Sequence, residues 1–191
     1  MELIEVVRNR RAVRDYTGEG RTRPVIGRLI EAAILAPSAM NLQPWAFAVL
    51  LDPPLIDSLA ERAGKWLLGN QAETGFGEAA REILERPGFS MFYHAPALVI
   101  VMAQSPAAQA AEDCCLAAEN LMLAARDEGI GSCWIGFARP WLNLPATKKE
   151  LALPEGYRVV APIILGIPKA WPEPHGRKPA EIHWIGSGRH D

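Results

Sequence analysis

The sequence predicts a single domain of mixed helix and strand, and not a plain βαβ nucleotide fold. Three observations carry this. The chain has 191 residues, about the length of one domain, and 49% hydrophobic against 22% charged residues gives it material for a sizeable core. About four strand-like and about five or six helix-like segments alternate irregularly, without an internal repeat. The chain opens on two helical segments, and no G-x-G-x-x-G or P-loop pattern follows a strand.

Each element has a local reason. From Glu2 to about Asn9, Leu3, Ile4 and Val7 stand at helical spacing. Ile26, Leu29, Ile30, Ala33 and Ile34 form one apolar stripe, with Pro24 suited to the first turn and Pro37 as a stop. A Pro-bounded loop runs from Pro37 to Trp45, and 46–51 reads as a buried strand. Residues 54–68 are helical, with Ile56, Leu59, Ala60, Ala63 and Leu67 on one face. The signal is weak from Gly69 to Tyr93, apart from a short helix near 78–84. ALVIVMA at 97–103 is the clearest core strand, and Ala-rich 107–128 is the longest helix, ended by Gly129. A short strand at 132–135 lies between glycines. Thr147 and Glu150 have the spacing of a capping box. Residues 158–165 form the last core strand, where Pro162 predicts an edge position or a bulge.

Composition excludes several classes. A net charge of -2 gives no global attraction to nucleic acid or anionic membrane. No apolar run reaches the roughly 18 residues of a membrane span, and the N-terminus does not read as a secretory signal. Cys114, Cys115 and Cys133 offer no metal spacing and no obvious disulfide, which points to a reduced, cytoplasmic chain. The Pro-rich tail from Pro168 ends in an alternating Ile182/Trp184, apolar enough to require a packing partner such as another subunit.

Three segments could carry chemistry. Arg8, Arg10, Arg11 and Arg14 concentrate positive charge; they fit either a bidentate phosphate clamp or a solvated helix end. Pro37-Ser-Ala-Met-Asn-Leu-Gln-Pro-Trp45 offers a hydroxyl, two amides and backbone, fit to read the edge of a heterocycle or simply to form a capped loop. Gly129-Ile-Gly-Ser-Cys-Trp-Ile-Gly136 lets backbone approach a flat ligand, or makes a tight turn into a core strand. Cys133 has no histidine nearby in sequence and reads as packing rather than nucleophile. The four histidines show no zinc spacing, and Asp113 and Glu119 are not placed to form a facing carboxylate pair.

In order, these segments resemble the flavin-dependent nitroreductase family. The likeness is carried by R-R-x-x-R-x-Y (Arg10, Arg11, Arg14, Tyr16) and P-S-x-x-N-x-Q-P-W (Pro37 to Trp45). It continues with A-P-x-x-V-I (Ala95 to Ile100), G-I-G-S-C-W-I-G (Gly129 to Gly136), L-G-x-P (Leu165 to Pro168) and R-K-P (Arg177 to Pro179). It covers nearly the whole chain. It implies an α+β fold, a mostly antiparallel central sheet flanked by helices, as a single nitroreductase-like domain over 1–191. It further implies a homodimer in which the C-terminal segment, 168–191, packs on the partner subunit, with Glu181 to Ile185 as the added strand.

The resemblance also implies two FMN sites at the subunit interface, with NADH or NADPH as electron donor. Arg10 and Arg11 would hold the phosphate, and Arg14 would approach the O2/N1 edge of the isoalloxazine. Ser38, Met40 and Asn41 would come from the other subunit. Ile135 and Gly136 would lie near N5, Asn70 would contact the ring, and Arg177 with Lys178 would return to the phosphate. The implied activity is ping-pong hydride transfer through flavin N5 to nitroaromatic, quinone or related conjugated acceptors, with no catalytic acid or base. Alternatives are an FMN carrier or regulatory module without efficient turnover, or another flavin reaction on the same scaffold, such as flavin cleavage or reductive dehalogenation. Two departures stand out: Ala12 replaces a serine common in the family, and 69–93 follows no family pattern. In that region Phe76, Phe89, Met91 and Phe92 are candidate walls of the substrate pocket, or ordinary core aromatics.

Overall fold

The computed structural model describes residues 1–70 and 74–185. Its helices are α1 (Leu3–Asn9), α2 (Arg23–Ala33), α3 (Pro53–Gly69), α4 (Gly77–Leu84), α5 (Ala108–Asp127), α6 (Arg139–Leu142) and α7 (Pro145–Glu150). Its strands are β1 (Trp45–Leu50), β2 (Ala97–Ala103), β3 (Gly131–Trp134) and β4 (Arg158–Gly166). They form one sheet in the order β1-β2-β4-β3, antiparallel at every pairing.

Alternation along β2 sorts its side chains into two cores. Leu98, Ile100 and Met102 pack with Ile56, Leu59, Leu67 and Phe92 on the α3 side. Val99 and Val101 pack with Ile26, Leu29, Cys114 and Leu121 on the α2 and α5 side. The result is a sheet between two helical layers. Burial of each leucine-sized side chain contributes about 1.5–3 kcal/mol before entropy is counted. Along α5 the sheet-facing positions are mostly small, Ala110, Ala117, Ala118 and Ala125, so the helix backbone lies close to the strands.

Two local expectations are corrected. Thr147 and Glu150 make no capping box: Pro145 occupies the first turn of α7, Thr147 is buried inside it, and the Glu150 carboxylate pairs with Arg62. Pro162 is not on an edge strand, because β4 lies between β2 and β3. The bulge half of that expectation holds nearby. Ala161 pairs with Val101 and Val159 with Met102, so Val160 is the extra residue, and Val160 and Ala161 fall in the same core. The Pro162 carbonyl accepts from the Ile135 N–H at 2.8 Å. Its missing donor therefore faces β3's side just past the end of that strand, and the β2–β4 ladder is spared.

Several large apolar side chains stay exposed. In α1 only Val6 is buried, while Leu3 is 72% exposed; beyond α2, Leu35 is 80% exposed. In the tail, Trp171 lies under the Arg126 guanidinium at 3.7 Å, whereas Ile182, Trp184 and Ile185 are exposed. Residues 186–191 of the expected exchanged segment lie outside the described residues.

Candidate functional site

The site begins where the arginine segment meets the sheet. Ala12 bridges Ser132 in parallel, and the Val13 N–H donates to the Ser132 carbonyl at 3.0 Å. Gly131 permits this approach: a Cβ there would stand 2.8 Å from Val13 Cβ and both of its methyls. Four residues on, Tyr16 is buried, its hydroxyl donates to the Val13 carbonyl at 2.7 Å, and Thr17 N–H donates to Ile167 at 3.0 Å. The segment is thus fixed as an extra edge of the sheet, with Arg10 before it and Arg14 within it.

Arg14 opens onto a cavity of about 250 Å³. Its other walls are Phe76, Phe89, Met91 and Tyr93 from the middle of the chain, and Cys133 to Phe137 from β3 and the turn after it. Phe76 meets Phe137 edge-on at 4.9 Å between centroids, and Arg14 stands 5.8 Å from the Tyr93 ring centre. Burial raises the Tyr93 phenol, and Arg14 and Arg86 draw it part of the way back. Burial also raises the Cys133 thiol, again opposed by Arg14. The Tyr93 phenol and the Cys133 thiol therefore keep their protons at neutral pH.

Arg10 and Arg11 lie at the start of the same segment. Their Nε atoms are buried without a hydrogen-bond partner among the described residues. Arg10 Nε is 3.2 Å from Glu119 Oε1, near enough for an ion pair but not aligned for a hydrogen bond. Arg11 turns onto its own chain and donates to the Arg8 and Arg10 carbonyls, both at 2.6 Å. Guanidiniums with buried, unmatched donors suit a polyvalent anion such as a phosphate.

Ser38, Met40 and Asn41 do not line this cavity. They form a separate, strained loop with positive φ at Met40, Asn41 and Gln43. Ser38 Oγ accepts from the Gln43 N–H at 3.0 Å, and Met40 is 90% exposed. Sequence reasoning missed the anchor: Asp113, buried on the apolar face of α5, accepts from the Ala39 N–H at 3.1 Å. A carboxylate among the alanines of that face was the available signal. Asn70 ends α3 and donates its side-chain amide to the Trp66 carbonyl at 2.7 Å, away from the cavity lining. Among the described residues Arg177 donates only to neighbouring tail carbonyls, and Lys178 is exposed. Of the candidate pocket walls, Phe76, Phe89 and Met91 line the cavity, while Phe92 is wholly in the core. Tyr93 and Phe137 are further walls that sequence reasoning did not single out.

Among the described residues there is no cluster that could hold a metal ion, and no helix is long and apolar enough to cross a membrane.

The comparisons with known proteins agree with this fold. The model of the nitroreductase family matches residues 7–167. An Archaeoglobus fulgidus protein, provisionally named NADH dehydrogenase/NAD(P)H nitroreductase, is 32% identical over 173 residues, covering 88% of this chain and 86% of its own. An iodotyrosine deiodinase from Thermotoga neapolitana is 29% identical over 173 residues, covering 81% of this chain and 88% of its own. Among solved structures, the FMN-bound nitroreductase of Bacteroides fragilis superposes with a TM-score of 0.82 at 29% identity, over 97% of this chain and all of that one.

Proposed function

This chain belongs to the nitroreductase family, and from that premise we propose that it is an FMN-dependent NAD(P)H oxidoreductase for nitroaromatic, quinone or related conjugated acceptors. The observation that carries the reading is the single segment 10–14. It presents two arginines whose buried Nε atoms have no hydrogen-bond partner among the described residues, and then a third arginine on an aromatic cavity lined by Ile135 and Gly136.

The residues present fit FMN. Arg10 and Arg11 would hold its phosphate, and Arg14 would set positive charge beside the ring. When bound, FMN supplies a two-electron carrier that accepts from a nicotinamide and donates to an acceptor. This chain's own part is position and environment. Gly136, without a side chain, leaves room for backbone to approach a flat ligand. Phe76, Phe89, Met91 and Phe137 exclude water from one face of the cavity. Arg14 stabilises negative charge developing near it.

In this reading, residues 1–191 form one domain that works as a homodimer. The exposed Leu3 and Leu35, and the tail carrying Ile182 and Trp184, supply apolar surface for the second copy. Ser38, Met40 and Asn41 then serve the partner's flavin, which accounts for their distance from this chain's own cavity. Arg177 and Lys178 would join the phosphate, and Asn70 the ring, on assembly. A second reading, reductive removal of a ring substituent, is favoured by the deiodinase relative.

The test is an absorbance spectrum of the purified protein from about 300 to 550 nm, before and after anaerobic NADH and then NADPH. Yellow bands that bleach support the proposal and give the donor preference. Bands that persist point to a binding module. A colourless protein that cannot be reconstituted with FMN ends the proposal.

A further inference from the structure

Behind Arg14 and Tyr93 lies a second cavity, of about 390 Å³. It shares Arg14, Phe89 and Tyr93 with the first, so these side chains form a common wall. Its other groups are mostly polar: Arg86, Lys169, His94, Asp15 and Ser90.

The charges do not cancel. Asp15 is matched by Lys169 Nζ at 2.8 Å, and His94 Nδ1 is 2.9 Å from Asp57. Arg14 and Arg86 face the cavity with no carboxylate at ion-pair distance among the described residues. Ser90 adds a buried hydroxyl without a hydrogen-bond partner among the described residues. The backbone also points to a shaped site. Tyr93 and His94 both hold positive φ, at 52° and 51°, which is costly for such residues and places both on this rim. Two guanidiniums without a carboxylate partner among the described residues, and a hydroxyl beside them, match an anionic oxygen group, which accepts bidentately from arginine and singly from serine.

We infer that this cavity is an anion subsite, in which Arg86, Arg14 and Ser90 bind a carboxylate or phosphate carried by a substrate whose reacting part occupies the aromatic cavity. The inference rests on the proposed oxidoreductase reading and adds to it a substrate class: acceptors or donors bearing an anionic arm. Arg86 is the specificity-determining residue, because it faces this cavity and not the aromatic one.

The experiment has a binding arm and a kinetic arm. Calorimetry measures benzoate and benzyl alcohol binding to the purified wild type and to Arg86→Gln. The expected result is preference for benzoate, weakened about tenfold by Arg86→Gln and partly recovered by Arg86→Lys. Steady-state kinetics compares 4-nitrobenzoate with 4-nitrobenzyl alcohol, and NADPH with NADH. A rise in KM confined to 4-nitrobenzoate assigns the anion to the acceptor, and one confined to NADPH assigns it to the nucleotide phosphate; either supports the subsite. Equal losses for every substrate, no change for any, or loss of bound flavin with benzoate binding intact overturns it. If the protein carries no flavin the oxidoreductase reading fails, yet benzoate binding still decides the subsite.

Discussion

The two walls of the aromatic cavity are built in opposite ways. The arginine wall, residues 10–17, is held by long-range bonds: Val13 to Ser132, Thr17 to Ile167, and Lys169 N–H to the Asp15 carbonyl at 3.2 Å. Two glycines are packed against it, Gly131 beside Val13 and Gly166 beside Tyr16. The facing wall, residues 74–94, has a backbone bonded locally. Phe89 N–H reaches Arg86, and Tyr93 N–H reaches Ser90. Its path needs positive φ at Gly75, Gly77, Gly88, Tyr93 and His94. One wall is over-determined by the sheet. The other is set by turns, where change costs the rest of the fold little. A fixed wall suits a constant cofactor, and a locally built wall suits an acceptor that differs between relatives.

The strongest way to break the comparison is to crowd the rigid wall. Gly131→Ala puts a Cβ 2.8 Å from three carbons of Val13, and the β3 backbone offers little room to shift. Overpacking of this kind costs about 1–3 kcal/mol. The urea midpoint should fall and bound flavin should be lost with it. Val13→Ala combined with Gly131→Ala should be less destabilised than the sum of the single changes, because the two sites are in contact. Additive losses would mean that the contact does not set this wall.

Next in size is the charge that the wall presents. Arg10→Ala removes a guanidinium whose buried Nε has no hydrogen-bond partner among the described residues. The fold should be nearly unaffected, since the Glu119 pair is half exposed and such pairs contribute about 0–1 kcal/mol. Retention of FMN, followed by fluorescence of flavin released on dilution, should fall about tenfold or more. A variant that keeps its flavin but unfolds earlier would move Arg10 from ligand binding to structure.

The same contrast explains what could be read in the sequence. The elements with clean periodicity, 26–34, 54–68 and 97–103, were legible nearly to the residue, because each buries one stripe or both faces against the sheet. Arg14, Ile135 and Gly136, which glycine spacing and arginine clustering single out locally, line one cavity. Asp113 was visible as a carboxylate on an apolar helix face, but its role was not legible, because its partner, the Ala39 N–H, lies 74 residues away. Nor was the pocket role of Tyr93 and Phe137. An aromatic residue in a turn shows in sequence neither which hollow it faces nor whether it is core, as Phe92 illustrates. Pro162 misled for the same reason: its neighbours in the sheet are set by topology, not by the residues beside it.

A smaller effect tests the anchoring bond of the rigid wall. Tyr16→Phe deletes the hydroxyl that donates to Val13 and should cost about 0.5–1.5 kcal/mol. It should also change the alkaline limb of stability. Burial holds the Tyr16 phenol well above its ordinary range. The unfolded chain therefore loses this proton first, near pH ~10, and the native state loses stability as pH rises beyond it. Urea midpoints should be flat through neutrality and should fall above about pH 10 less steeply in Tyr16→Phe than in wild type. An unchanged slope would locate the alkaline loss in other groups.

The smallest effect on the fold should come from the locally built wall, and there the comparison becomes sharpest. Phe76→Leu removes one edge-on ring contact with Phe137 and little else that holds the sheet. Such a contact contributes about 0.5–1.5 kcal/mol beyond area, and Phe76 is only partly buried, so stability should move by no more than about 1 kcal/mol. Flavin content should stay at the wild-type level, because Arg10, Arg11 and Arg14 are untouched. Acceptor choice should nonetheless change. A wider mouth favours bulky acceptors over small ones, by about threefold to tenfold in relative kcat/KM, the scale of a modest change in apolar pocket volume. If Phe76→Leu instead sheds flavin or unfolds the protein, the two walls are one cooperative unit. A selectivity change without loss of either would show that this fold lets substrate range vary on one wall while the cofactor stays fixed on the other.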